Sequence, residues 1–182
     1  VGLYLQTAGQ TRQAIELLEQ TIEHEAVPNA ISIRALLALC HIYRQGTQFE
    51  KVIQTAEPAL RVGKKHQFRT GVTWAHYFLG CAHYEQNELE AARNNFLAVS
   101  EQRYFAQAQC VLDSLIGLGL TYQAQGSMLE AEETMEDLTE YALAANNPGH
   151  TLAVRVLAAR LALARDEIPA ASQIYDGLTV PL

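Results

Sequence analysis

Leu79-Gly80-Cys81-Ala82-His83-Tyr84-Glu85-Gln86-Asn87-Glu88-Leu89-Glu90-Ala91-Ala92-Arg93-Asn94-Asn95-Phe96 is the stretch on which the reading of the whole chain turns. Within it a small residue, Gly80, precedes a polar turn, Gln86-Asn87-Glu88, and a second small residue, Ala92, follows twelve positions after the first. Phe96, one helical turn beyond Ala92, is large and shares its face. The pattern recurs along the chain. Gly2, Cys40, Gly80, Gly119 and Ala159 are followed twelve residues later by Ala14, Val52, Ala92, Ala131 and Ala171, with steps of 38, 40, 39 and 40 in both series. A period of this size is the mark of a repeat architecture.

The physical content of the pattern is helix, short turn, helix. The first small residue lies where two helices cross closely and the second where the next helix meets that crossing, because larger side chains there would hold the helices apart. Between them fall Ala8-Gly9-Gln10, Gln45-Gly46-Thr47, Gln86-Asn87-Glu88, Gln125-Gly126-Ser127 and Arg165-Asp166-Glu167, rich in the Gly and Asn that end helices in the left-handed conformation. Leu18, Ala56, Phe96, Met135 and Tyr175, four residues after the second small residue, mark the face expected to bury against the neighbouring unit.

This reading pairs helices over about 28–45 with 48–62, 68–86 with 88–101, 104–125 with 127–145, and 149–165 with 167–178, after a lone helix over about 10–25. The opening Gly2-Leu3-Tyr4-Leu5-Gln6-Thr7-Ala8-Gly9-Gln10 reads as the end of an earlier helix, so the chain is expected to be a piece of a longer one. Val27-Pro28-Asn29, Gly63-Lys64-Lys65 and Asn146-Asn147-Pro148-Gly149 are the breakers between units. Pro169 falls in a first turn, where a missing amide costs little, whereas Pro58 is mid-helix and is expected to kink its helix or shift its boundary. The expected fold is an all-α, tetratricopeptide-like helical-repeat solenoid, a right-handed superhelix of helix-turn-helix units. It is one array over 1–182, divided as a partial unit 1–26 and units 27–63, 64–102, 103–147 and 148–182.

Composition narrows the function. Apolar residues are 49% of the chain and charged residues 18%, a composition that can bury a core. The longest apolar run, 152–164, is cut by Arg155 and Arg160 and is too short to span a bilayer. A net charge of −7 opposes binding to a phosphate backbone, so no direct nucleic-acid partner is expected. Cys40, Cys81 and Cys110 form no CxxC pair and lie in apolar helical stretches, which fits small buried side chains and a cytoplasmic setting.

The spacing of Leu79-Gly80, Tyr84, Ala92 and Phe96, and of Leu118-Gly119, Tyr122, Gly126 and Ala131, is similar to the tetratricopeptide signature. Units of 38 to 40 residues exceed that family's usual length and resemble the repeat region of MalT-like, LuxR-type ATP-dependent transcriptional regulators of bacteria. The run Asn87-Glu88-Leu89-Glu90-Ala91-Ala92, with Phe96, Val99, Arg103-Tyr104, Asp113, Gly117-Leu118-Gly119-Leu120, Tyr122-Gln123-Ala124 and Gly126, carries this resemblance, as does Ala159-Arg160-Leu161-Ala162-Leu163. It is firm over about 70–178. The resemblance implies a signal-sensing segment between an ATP-binding switch domain and a DNA-reading helix-turn-helix. Gly63-Lys64-Lys65 lacks the other residues of a phosphate loop, so ATP binding and other cofactors are not expected in this segment.

There is no HExxH, GxSxG, GxGxxG or zinc-type cysteine pair, and no catalytic residue is assigned. His76 and His83 are seven apart, not the three or four usual for helical metal pairs, and are read as a polar or packed face; no metal ligand is assigned. In the tetratricopeptide family the first helix of each unit lines a concave groove. Carried over by position, the groove residues here are Arg34, Leu37, His41 and Arg44; Trp74, Tyr77, Cys81, Tyr84 and Glu85; Asp113, Ile116, Leu120 and Gln123; and Ala153, Val156, Arg160 and Leu163. Arg34, His41, Arg44, Trp74, Tyr77, Tyr84, Gln123 and Arg160 form the candidate ligand- or partner-binding set, with arginines for a carboxylate or phosphate and aromatics for stacking. The competing reading makes the aromatics interior packing. Arg103-Tyr104 is read as structural. The expected function is a non-catalytic sensor of a small-molecule or peptide signal, coupled to neighbouring domains and open to homo-oligomerisation; the alternative is a passive scaffold or self-association spacer beside a kinase, cyclase or other output domain.

Overall fold

The chain supplies its own stop and start signals, and the helices follow them. In the computed structural model, residues 9–24, 29–145 and 147–177 are described. The elements are α1 (Thr11–His24), α2 (Ala30–Gln45), α3 (Phe49–Lys65), α4 (Arg69–Glu85), α5 (Leu89–Ser100), α6 (Ala108–Gln125), α7 (Met128–Ala145), α8 (Pro148–Ala164) and α9 (Ile168–Asp176), with no strand among the described residues. Asn29 caps α2: its side-chain oxygen accepts from the amides of Ile31 (2.7 Å) and Ser32 (3.2 Å), while Ser32 Oγ accepts from the Asn29 amide. Asn147 caps α8 by accepting from Gly149, and Pro148 occupies the first position, where an amide has no helical partner anyway.

One turn geometry joins the helices of every pair. Gly9, Thr47, Asn87, Gly126 and Asp166 all have positive φ, and each stands five residues before Ala14, Val52, Ala92, Ala131 or Ala171. In four of these turns the amide that follows reaches back to close the preceding helix: Gln48 to Tyr43 O, Glu88 to His83 O, Ser127 to Tyr122 O and Glu167 to Ala162 O, at 2.8–2.9 Å. A left-handed residue with this bond is how a helix ends without orphan carbonyls. In the turn Gln45-Gly46-Thr47 the glycine is the residue with the least cost in that conformation. Instead Gly46 has φ −84° and Thr47 takes the left-handed conformation, which keeps the five-residue spacing to Val52.

The second small series is buried throughout: Ala14, Val52, Ala92 and Ala131 are fully buried and Ala171 nearly so. Cys40 Sγ donates to the carbonyl of Val52 at 3.9 Å, so the two series meet directly. A Cβ built on Gly80 would stand 2.7 Å from the ring of Phe96, closer than any side chain tolerates. Gly2 lies outside the described residues.

Four expectations are corrected. Gly63-Lys64-Lys65 does not break the chain between units; it ends α3, and the turn falls on Gln67, again at positive φ, with Phe68 N bonded to Gly63 O at 2.9 Å. A Cβ on Gly63 would approach Val72 at 3.0 Å, so this junction copies the turns inside the units. Pro58 stands inside α3, which runs past it to Lys65 and not to about 62, and the carbonyl it deprives, that of Gln54, is on an exposed residue where water can bond it. The helix expected from 104 begins at Ala108, since Gln102 O accepts from both Phe105 and Ala106 in a separate turn. Tyr175 is 63% exposed instead of buried, while α9 packs on α8 with Ala171 as its buried residue. The expected helix end at the start of the chain and Val27-Pro28 fall outside the described residues.

The described residues group into two compact units, one ending at Gln107 and the other starting at Ala108. In the first, each helix packs on the next from α1 to α5, and α2 also packs on α4. In the second, α6 packs on α7, α7 on α8 and α8 on α9, with α6 also against α8, where Gly119 admits Leu157.

Two substitutions test this construction. Thr47→Gly relieves a β-branched residue of the left-handed conformation and should raise stability by about 0.5–1 kcal/mol, read as a higher urea midpoint; an unchanged or lower midpoint means the turn is not strained. Gly80→Ala gains helix propensity but drives a methyl into Phe96, and should lower stability by about 0.5–2 kcal/mol. Combining it with Phe96→Leu should restore part of that loss; simple additivity of the two would show that the contact is not the cause.

Candidate functional site

The first unit contains a cleft of about 410 Å³ between α2 and α4, closed at one end by Gln107. Its position follows from a glycine. A Cβ on Gly71 would meet the Phe68 ring at 2.5 Å and Ile33 Cγ2 at 2.8 Å, so only Gly lets the start of α4 come this close to α2. Arg34, Leu37, Ala38 and His41 form the α2 wall; Phe68, Thr70, Trp74 and Phe78 form the other.

Trp74 is the organising side chain. Its Nε1–H donates to Gln107 Oε1 at 2.9 Å, and its ring meets Tyr77 edge-on at 5.4 Å and Phe78 at 5.9 Å, which leaves it half-buried in one orientation. The Arg34 guanidinium lies 5.9 Å from the Phe68 ring centroid. Among the described residues Arg34 forms no ion pair, and no carboxylate lines the cleft. His41 meets the Gln45 amide at 3.0 Å, and burial together with the nearby Arg44 charge lowers its pKa below the usual histidine value.

The candidate set is therefore only partly assembled. Arg34, His41 and Trp74 share the cleft. Arg44 approaches α4 as expected, its guanidinium 5.8 Å from the Tyr77 ring, but neither residue lines the cleft. Tyr77 is 6% exposed and packs between Trp74 and Phe78, so the expected open stripe of aromatics is corrected at this position: Tyr77 supports Trp74 from behind. Tyr84 is half-buried farther along α4, outside the cleft lining. Gln123 on α6 and Arg160 on α8 belong to the second unit, Gln123 with a buried amide oxygen that has no hydrogen bond and Arg160 exposed. Phe68, Phe78 and Gln107 were missed. Nothing in the sequence joins Gln107 to Trp74, 33 residues away, although the position of Phe68 just before a helix start was visible.

The second unit has its own cleft of about 330 Å³, crossed by ion pairs from Arg165 to Glu132 and to Glu167. The histidines considered above have separate partners: His76 meets Asn95 Oδ1 at 2.9 Å, and His83 meets Glu88 at 2.5 Å. No group of three possible metal ligands occurs among the described residues. The Cys40 thiol is held far above its usual pKa by burial, which removes it as a nucleophile at neutral pH. Arg103-Tyr104 sits in the turn before α6, where Tyr104 is 86% exposed and Arg69 lies 4.4 Å from the Phe105 ring.

Helical pairs closed by this turn and stacked in register define a tetratricopeptide-like helical-repeat fold. Solved structures agree on the fold. A kinesin light chain-like protein with nearly identical TPR-like repeats from Podosopora anserina superposes with a TM-score of 0.73 at 19% identity, covering 97% of this chain and 89% of its own. A variant of that protein gives 0.75 at 18% identity with the same coverage. No family model and no curated protein matches the chain. No helix among the described residues is long and apolar enough to cross a membrane.

Burial lowers the pKa of His76 as well, and the hydrogen bond its ring donates to Asn95 Oδ1 only partly offsets this. Both shifted histidines are thus neutral in the fold at pH values where the unfolded chain begins to protonate them. Stability should be fully present above the ordinary value of 6.5 and fall as pH drops below it. Urea midpoints between pH 7.5 and 5.5 measure this, and His76→Gln should flatten the profile. An unchanged slope in that variant would remove His76 as a cause.

Proposed function

We propose that the chain is a non-catalytic recognition module whose ligand or partner enters the cleft between α2 and α4. The observation that carries this is the cleft itself: an indole fixed by Gln107 and a cation over Phe68, both accessible, around an apolar floor of Leu37, Ala38 and Phe78. Pockets that bind small molecules or peptide side chains combine these elements, and the volume lies in their range. The absence of HExxH, GxSxG and GxGxxG motifs from the sequence supports a binding role over a catalytic one.

The finer reading rests on the resemblance to MalT-like, LuxR-type regulators. It makes the chain a cytoplasmic signal-sensing segment of a multidomain bacterial regulator, in which occupancy of the cleft is relayed to neighbouring domains. A second reading, self-association or passive stacking, is favoured by one observation: Leu152, Val156 and Leu163 on α8 are each at least half exposed along one helix face.

The chain has a single tryptophan, so its indole N–H resonance reports on the cleft alone. Titration with a panel of small acids, amines, sugars and short peptides should identify at least one class that shifts it. Trp74→Ala should then weaken binding by about tenfold or more with the helical circular dichroism retained. A panel that leaves the indole signal unmoved, while any binding detected by calorimetry survives Trp74→Ala, would place recognition elsewhere.

A further inference from the structure

We propose that the cleft between α2 and α4 selects a planar anionic small molecule, an aromatic or heteroaromatic acid, with its charge on Arg34 and its ring against Trp74 and Phe68. This rests on the cleft being the recognition site and adds the chemistry of what it admits.

Charge distribution is the first support. Residues up to Gln107 carry ten acidic and ten basic side chains, whereas those from Ala108 onward carry ten acidic and three basic, so the whole net charge of −7 belongs to the second stretch. Within the first, α2 carries Arg34, His41 and Arg44 and no carboxylate, and none lines the cleft from the other wall. A cationic ligand would meet no counter-charge there. An anion would meet Arg34, whose guanidinium is committed to no acid among the described residues and presents the forked N–H edge that fits a carboxylate or phosphate.

Shape gives the second support. The indole N–H of Trp74 is already used by Gln107, so what the ring can offer a ligand is its face and not a hydrogen bond. Phe68, on the same wall, lies under the Arg34 cation, which couples the charge-binding group to an aromatic surface. A ligand that is both flat and anionic satisfies the three groups together; a flexible chain satisfies the cation and leaves the ring faces wet. Leu37, Ala38 and Phe78 supply apolar lining, and Thr70 and Gln107 are neutral polar groups, so the charge preference falls on Arg34, the one lining side chain whose positive charge does not depend on pH in the working range.

Three probes of one shape separate the terms: 2-naphthoate, 2-naphthamide and 2-(aminomethyl)naphthalene. By calorimetry and by the Trp74 indole resonance, the acid should bind about tenfold or more tighter than the amide, with the amine weaker still. Arg34→Gln should bring the acid down to the affinity of the amide without changing the amide. Trp74→Leu should weaken both. Equal binding of acid and amide, or a preference that survives Arg34→Gln, overturns the proposal; if both ligands are still lost in Trp74→Leu, the cleft remains the site and only its charge selection fails. If none of the three shifts the Trp74 signal, this proposal falls, and the wider panel described above decides separately whether the cleft binds anything.

Discussion

The close approach of Phe96 to the backbone of Gly80 is the contact on which the rest depends. It is possible only without a side chain at position 80, and it sets the separation of α4 and α5. Small residues admit close approaches at other positions too: Cys40 Sγ reaches the Val52 carbonyl between α2 and α3, and Leu157 of α8 packs against Gly119 of α6. In a folded protein most helical stability comes from such packing of one face and little from the helix by itself. Repeat proteins concentrate their stability in these nearest-neighbour contacts.

The second constraint is conformational. A residue at positive φ stands five positions before each buried second small residue, and its side chain is Gly, Thr, Asn or Asp as the unit varies. The conservation of geometry across differing residues shows that the register of the following helix matters more than the intrinsic preference of the turn residue. Thr47 makes the point most clearly, since Gly46 stood next to it and was passed over. Gln67 extends the same device to the junction between α3 and α4, and this brings α4 back alongside α2.

That return creates the cleft. With Gly71 allowing the helix start to sit against Phe68 and Ile33, the side chains of two successive first helices face one another, and Trp74 comes within reach of Gln107. The cleft is thus a by-product of repeat stacking furnished with side chains that stacking does not demand. Tyr77, buried behind Trp74, belongs to the packing; Arg34, exposed and unpaired among the described residues, does not.

The sequence by itself determined the helical-pair architecture. Small residues at fixed spacing, turn residues between them and a large residue one helical turn later are local constraints that read directly along the chain, which is why Ala14, Val52, Ala92 and Ala131 were all found in the core. It also put Arg34, His41 and Trp74 in one candidate set. Tertiary structure decided the rest. A helical stripe such as Trp74, Tyr77, Cys81 and Tyr84 shares a face by periodicity, but burial along that face depends on what lies opposite, and α2 with Phe78 covers Tyr77 while leaving Trp74 half open. The bond from Trp74 to Gln107 and the seat of Arg34 over Phe68 join residues 33 or 34 apart. No local rule links such pairs; only the packing of α2, α4 and the turn before α6 within reach of one another does.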